Sequence, residues 1–269
     1  MPVHLETPDD HTHVAVVVID RPERANSLNP AALSELANAW RRVAEDDDIR
    51  VAVVTGAGDA VFCSGMDLKE TIPASQRLAR EEQVSDVEFQ GLRDVSTATL
   101  AGFDLQKPLI AAVNGHSRGG GFDMMLASEM RFAVPNATFA LEEVALGLYP
   151  TGHATVLLPR QIPWVHANEI IYTARPISAE RALEVGLVNR IVEPNELMAV
   201  ALDAADAIAA NAPLAVKETR RGVRELLTMP LEEAYLRQEE LGKPLRRTAD
   251  AREAQRAFVE KRKPVFRGE

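Results

Sequence analysis

The amino-acid sequence predicts an α/β fold with a helical carboxy-terminal region. Three observations lead there: β-branched apolar runs alternate with segments of helical spacing, two runs pass into small-residue turns that precede helices, and every segment after about residue 195 reads as helix. Val14 to Ile19 and Val51 to Thr55 read as buried strands, ended by Asp20-Arg-Pro and by Gly56-Ala-Gly58. Between them Leu33, Leu36, Ala37, Trp40, Val43 and Ala44 share one helix face, and Pro30 suits a first helical turn. Residues 75–100 are charged and loosely periodic, a helical excursion over a pocket. From Pro108 the run Leu-Ile-Ala-Ala-Val-Asn forms the next strand, Gly115 and Gly119-Gly120-Gly121 the turn, and Phe122 to Met130 a short helix. Arg131 to Val134, Thr138 to Ala140 and Gly186 to Val192 complete the strands. Glu196 to Ala210, Leu214 to Leu227, Leu231 to Leu241 and Asp250 to Lys261 are the terminal helices, with Pro213, Pro230 and Pro244 as breaks. The change of character divides residues 1–194 from 195–269.

The chain has 269 residues, 46% of them hydrophobic, enough for one sizeable core without covalent staples. Its single cysteine, Cys63, rules out an internal disulfide framework, and the amino terminus carries no basic-then-apolar leader, so a cytoplasmic location is expected. The longest apolar runs are far too short to span a bilayer. A net charge of -10 repels nucleic acid and anionic membranes, which excludes both as partners; a phosphate-bearing ligand would be held by a few local cations and backbone donors. No metal site is expected, since His4, His11 and His13 have no Cys or carboxylate cluster to complete one. Gly56-Ala-Gly58 lacks the third small residue of a dinucleotide fingerprint, because Val61 stands there, and the loop from Gly115 to Gly121 has no Gly-Lys-Ser/Thr. His116 and Ser117 adjoin that loop without the Gly-x-Ser-x-Gly of a nucleophile elbow.

Two loops carry the chemistry. Phe62-Cys-Ser-Gly-Met-Asp67 and Asn114-Gly-His-Ser-Arg-Gly-Gly-Gly-Phe-Asp123 each run from an apolar strand through small residues into a helix, and each exposes backbone N–H groups at that helix start. Either loop alone would suit tight packing. Two such donors aimed at one point would make an oxyanion hole, with glycine letting a ligand carbonyl approach the main chain.

The segments Asp20-Arg-Pro-Glu-Arg-Ala-Asn-Ser-Leu-Asn29, Val54 to Glu70 and Lys107 to Asp123 resemble the successive signatures of the crotonase, or enoyl-CoA hydratase/isomerase, superfamily. Phe139 to Pro150, Leu158-Pro-Arg160, Ala182 to Val188 and Ala257 to Phe266 continue the likeness in order, so it covers nearly the whole chain. The resemblance implies a crotonase-like spiral of repeated ββα units over residues 1–194. The helical region 195–269 would take part in oligomerisation, as a homotrimer or homohexamer, and in completing the coenzyme A site. It implies an acyl-CoA thioester as substrate, coenzyme A entering as part of that substrate and no separate cofactor.

Residue by residue, Met66 and Gly120 match the two oxyanion-hole amides. Arg24 and Ala25 match positions beside the coenzyme A nucleotide; Ser64, Met66, Asp67, Leu68 and Lys69 match the stretch lining the pantetheine and adenine. Phe258 and Lys261 match an adenine-contacting pair donated by an adjacent subunit. Asp123 and Glu143 match the acidic residues that flank the acyl C2–C3 bond. Two carboxyls at one small substrate push their pKa values apart, leaving one as base and the other as proton donor.

The implied reaction is hydration of a 2-enoyl-CoA, with Glu143 as base toward water and Asp123 as partner acid or water holder. Typical hydratases resemble a Glu/Glu pattern, and Asp123 is one methylene shorter. Asp followed by Glu also resembles dienoyl-CoA isomerases, whose third carboxylate falls at Thr151. Many hydratases have Pro-Gly where Pro150-Thr151 stands, and an amide of that turn helps to hold the water. The alternatives are therefore an enoyl-CoA or dienoyl-CoA isomerase using Glu143 as proton shuttle, and a non-catalytic acyl-CoA-binding homologue.

Overall fold

A computed structural model describes all 269 residues. In chain order the strands and helices are β1 (Val3–Glu6), β2 (Val14–Ile19), α1 (Pro30–Glu45), β3 (Val51–Gly56), β4 (Val61–Cys63), α2 (Thr71–Ala79), α3 (Asp86–Ala98), β5 (Leu109–Val113), β6 (His116–Arg118), α4 (Gly120–Ala127), β7 (Met130–Ala133), β8 (Thr138–Ala140), α5 (Leu158–Gln161), α6 (Trp164–Thr173), β9 (Ile177–Ser178), α7 (Ala179–Glu184), β10 (Arg190–Ile191), α8 (Leu197–Ala209), α9 (Pro213–Leu226), α10 (Leu231–Leu245) and α11 (Ala249–Glu260), with 3-10 turns at Pro22–Arg24 and Glu143–Leu146.

Two sheets share these strands. The larger runs β1-β2-β3-β5-β7-β10 and is parallel except where β1 meets β2; the smaller runs β4-β6-β8-β9 and is parallel except at β9. Each unit sends its first strand to the large sheet and its second to the small one. β3 and β4, then β5 and β6, then β7 and β8 stack in the same order in both sheets, which is the expected ββα spiral. All residues of β3 and β5 are buried, the near-continuous apolar character of parallel strands covered on both faces.

Helix α1 forms where its signals lie. The Asn29 side chain accepts the Ala32 N–H at 2.9 Å, Pro30 takes the first turn, and Leu33, Leu36, Ala37, Trp40 and Val43 are buried on one face. Trp40 Nε1 donates to the Ala98 carbonyl at 3.0 Å, tying α1 to the end of α3. The excursion of residues 75–100 is two helices, the second opened by a capping box between Ser85 and Glu88. α8 packs across β2, β3, β5 and β7, burying Leu197, Ala201, Ala205 and Ala209, while α9 and α10 pack chiefly on each other. No single helix is long and apolar enough to cross a membrane; α8 and α9 together would be, but they meet at 106° and α8 lies on the sheet.

Three expectations shift. The strand expected over Gly186 to Val192 shrinks to β10, because the Leu187 N–H turns back to Ala182 at 2.8 Å and Gly186 sits at φ 78°, closing α7 instead of extending the chain. The helix expected at Phe122 begins at Gly120 and ends at Ala127, where Ser128 is already extended. Pro244 does not stop α10 but is its penultimate residue; Pro213 is the first residue of α9, and Pro230 caps the start of α10.

Candidate active site

The amino-terminal end of α4 gathers four of the residues that the sequence singled out, Met66, Gly120, Asp123 and Glu143. Gly119, with φ 43° and ψ -120°, turns the chain from β6 into the helix. The Asp123 N–H closes the first helical hydrogen bond onto the Gly119 carbonyl at 2.9 Å, and the Gly120 N–H has no acceptor in the protein. Glu143 Oε1 lies over Gly119, 3.2 Å from where a Cβ there would stand, and the Met66 methyl lies 3.3 Å from the corresponding point on Gly120.

Met66 reaches this place by a route the sequence did not foretell. It does not sit at a helix start, since α2 begins only at Thr71; it forms an isolated parallel bridge with Leu28. Leu28 donates to the Gly65 carbonyl at 2.8 Å and accepts from the Asp67 N–H at 3.0 Å, so the bridge uses the peptide groups either side of Met66 and leaves its own N–H facing away from Leu28, without a protein acceptor. Gly65, at φ 86°, lies against the other loop: a Cβ on it would stand 3.1 Å from the Gly120 nitrogen. The two turns are thus in contact, each offering a free amide.

The carboxyls differ in environment. Asp123 is 5% exposed, and its Oδ1 accepts the N–H groups of His153 at 2.7 Å and Ala154 at 2.9 Å. Burial pushes its pKa up to about 6; the His153 amide opposes this, the Glu143 charge reinforces it, and the Ala154 amide opposes it. Glu143 is half-buried at the start of its 3-10 turn, and its Oε2 is buried without a partner. Burial also raises the Glu143 pKa, its own backbone N–H works against that, and Glu142 adds to it. Both groups are therefore easier to protonate than free carboxylates.

The sign of the Asp123 shift yields a stability prediction. A raised folded-state pKa means that the ionised form costs stability: the cost is absent below the unfolded value of 3.8 and fully present above about 6. Asp123→Asn is expected to raise stability near pH 8 by on the order of 2 kcal/mol, with the gain vanishing toward about pH 4. Thermal melts across that range check it, and a variant less stable than the parent at the alkaline end contradicts it.

The expected coenzyme A residues fall into two groups. Arg24, Ala25, Ser64, Leu68 and Lys69 cluster on one rim: the Ser64 N–H donates to the Ala25 carbonyl at 3.2 Å, Arg24 approaches Glu70 at 3.8 Å, and Leu68 and Lys69 are exposed. Asp67 faces inward instead. Its carboxylate accepts from the Lys69 and Glu70 amides, the Ser27 hydroxyl at 2.9 Å and buried Arg21 at 3.3 Å. Burial alone would raise its pKa, but these donors outweigh that and hold it below the usual carboxylate range. Both Asp67 carboxylate oxygens are thus engaged by donors within the protein. Phe258, 86% exposed, and Lys261, at φ 52° where α11 ends, project from that helix with no hydrogen bond to the rim.

Sequence reasoning missed two parts of the site. The Arg21–Ser27–Asp67 network braces the Met66 turn, and the amides of His153 and Ala154 hold Asp123. Arg21 had been visible only as part of a turn. In the same loop Thr151, whose amide the resemblance places toward the water, is exposed, and the Asp123 carboxylate is held by the two residues after Gly152.

Comparison with known proteins now decides the family. The family profile described as "Enoyl-CoA hydratase/isomerase" matches residues 9–269. The chain belongs to the enoyl-CoA hydratase/isomerase family. It is 41% identical over 268 residues to the (E)-benzylidenesuccinyl-CoA hydratase of Thauera aromatica, covering 100% of both chains. It is 38% identical over 259 residues to the carnitinyl-CoA dehydratase of Proteus mirabilis, covering 95% of each. Among solved structures, an enoyl-CoA hydratase from Bacillus anthracis superposes with a TM-score of 0.89 at 33% identity, covering 100% of both chains. This member of the family is thus an enzyme of the crotonase fold, a lyase with enoyl-CoA hydratase-like function, and its substrate class is an acyl-CoA.

Proposed function

We propose that this enzyme adds water across the 2,3 double bond of a 2-enoyl-CoA through an enolate of the thioester. The observation that supports the reading is the contact of two turns at the start of α4, each with a main-chain N–H without a protein acceptor, on Met66 and Gly120, beside two carboxyls of raised pKa, Asp123 and Glu143. The amides accept the thioester oxygen as electron density moves onto it, helped by the positive end of the helix. Asp123, fixed through Oδ1, holds the water by its other oxygen. Glu143, with Oε2 free of partners, takes a proton from the water as the oxygen bonds C3 and returns that proton to C2. One water is consumed and the protonation of the enzyme is restored, so no redox or metal group is called on and coenzyme A enters only as part of the substrate.

The exposed rim of Arg24, Ala25, Ser64, Leu68 and Lys69 would carry the coenzyme A, and Phe258 and Lys261 would reach an adjacent subunit's ligand in a homotrimer or homohexamer, a role that the exposure of Phe258 supports. A cytoplasmic site of action completes the reading.

Isomerisation is the second reading, favoured by one observation: Glu143 Oε2 has no partner and no other residue anchors that side chain, whereas Asp123 is held in place through Oδ1 by two amides, so Glu143 is the carboxyl freer to carry a proton between carbons. Incubation with a 2-enoyl-CoA in heavy-oxygen water separates the two. Labelled 3-hydroxyacyl-CoA is the expected product; double-bond migration without label rejects the hydratase.

A further inference from the structure

Gly152 lies flush against Asp123. A Cβ on Gly152 would stand 1.9 Å from Asp123 Oδ2 and 2.2 Å from its Cγ, so no side chain fits there without displacing the carboxylate. The backbone at Gly152 is not in the left-handed region, so close approach alone demands glycine. Immediately after it the His153 and Ala154 N–H groups both donate to Oδ1, at 2.7 and 2.9 Å, while Oδ2 receives no hydrogen bond from the protein. The His153 carbonyl in turn accepts the Leu157 N–H at 2.7 Å, so the two donors are the unpaired first amides of a helical turn leading into α5.

We propose that the Gly152–Ala154 turn is the positioning element for Asp123, pinning one carboxylate oxygen so that the other alone meets the substrate water, and that the site is built for aspartate and not for glutamate at this place. Two donors on one oxygen fix the rotation of the carboxyl group, which a single capping bond would leave free. The aspartate arm brings Oδ1 onto the amides with the carboxyl already against Gly152. One more methylene, about 1.5 Å of reach, would drive the group into the Gly152 main chain or off both donors. Glutamate at 123 is therefore a disruptive substitution here, although it restores the residue type that the resemblance gives for typical hydratases. What Asp123 does in turnover rests on the hydratase reading; how it is held does not.

The test has a kinetic and a spectroscopic arm. Gly152→Ala is expected to lower kcat by about tenfold to a hundredfold, the cost of a misplaced reacting group, with KM for the thioester within about twofold and the acid limb of the kcat–pH profile displaced. Asp123→Glu is expected to be no more active than Asp123→Asn. A purely structural role for the turn would lower the melting temperature and leave the pH profile of the folded fraction unchanged. The spectroscopic arm uses the unaltered enzyme: the amide resonances of His153 and Ala154 should titrate together near Asp123's value of about 6 and lose that titration in Asp123→Asn. It needs no turnover, so it decides the positioning claim even if no enoyl-CoA is hydrated or Gly152→Ala fails to fold. Amides that ignore the titration, a Gly152→Ala enzyme with parental kcat and pH profile, or an Asp123→Glu enzyme as fast as the parent overturns the proposal.

Discussion

Glu143→Gln is expected to lower the rate of water addition by about two to four powers of ten, the usual worth of a positioned general acid–base group, while coenzyme A affinity stays within a factor of about two. The amide keeps the size of the side chain, and Glu143 makes no side-chain hydrogen bond that fixes the fold, its Oε2 having no partner. The loss therefore belongs to proton transfer. Because Glu143 both accepts and returns the proton, the variant should fail equally in the hydration and dehydration directions. Steady-state rates with the 2-enoyl and the 3-hydroxyacyl thioesters, together with calorimetric binding of coenzyme A, check this. A variant with parental rates would place the enzyme's proton transfer elsewhere.

Gly120→Pro deletes one oxyanion donor and sets its ring Cδ where that N–H pointed. Proline lacks the N–H, and the first position of a helix is where that loss is tolerated, because no intrahelical acceptor awaits it. The nearest atom to a Cβ at this position is the Met66 methyl at 3.3 Å, the flexible end of a side chain that can move aside. Loss of one such donor costs roughly two to three powers of ten in kcat. The melting temperature should remain near that of the parent; kcat should fall because the donor gains most as charge builds on the oxygen, and KM should rise because the ring crowds the bound carbonyl. A rate within about threefold of the parent would mean that this amide does not face the reacting carbonyl.

Much of this arrangement was legible in the residues, and the limits have physical causes. Helix α1 could be read from Asn29, Pro30 and its apolar face because cap, first turn and periodicity are all local. The Gly119 turn was legible for the same reason: a run of glycines after an apolar strand announces a conformation that other residues resist. The strands β4, β6 and β8 have three residues each, too few to show a period, so the second sheet was invisible until its partners were in place. The free amide of Met66 depends on Leu28, 38 positions earlier, through a bridge that leaves no local mark. Likewise the donors to Asp123 lie 30 and 31 residues away. Its side chain could be named as a candidate acid, but not the turn that holds it. Asp67 shows the converse: the motif placed it beside a ligand, and Arg21, Ser27 and two following amides draw its carboxylate inward.

The central claim is that the amides of Met66 and Gly120 polarise a thioester carbonyl, and vibrational spectroscopy of that bond tests it most directly. A saturated acyl-CoA carrying carbon-13 at the carbonyl binds without reacting, and isotope-edited infrared difference spectra isolate its stretch. In the parent enzyme the band should move to lower frequency than in water, and in Gly120→Pro it should return toward the free value. A bound carbonyl that absorbs where the free thioester does, in a parent enzyme saturated with ligand, would contradict the oxyanion site and the enolate chemistry built on it.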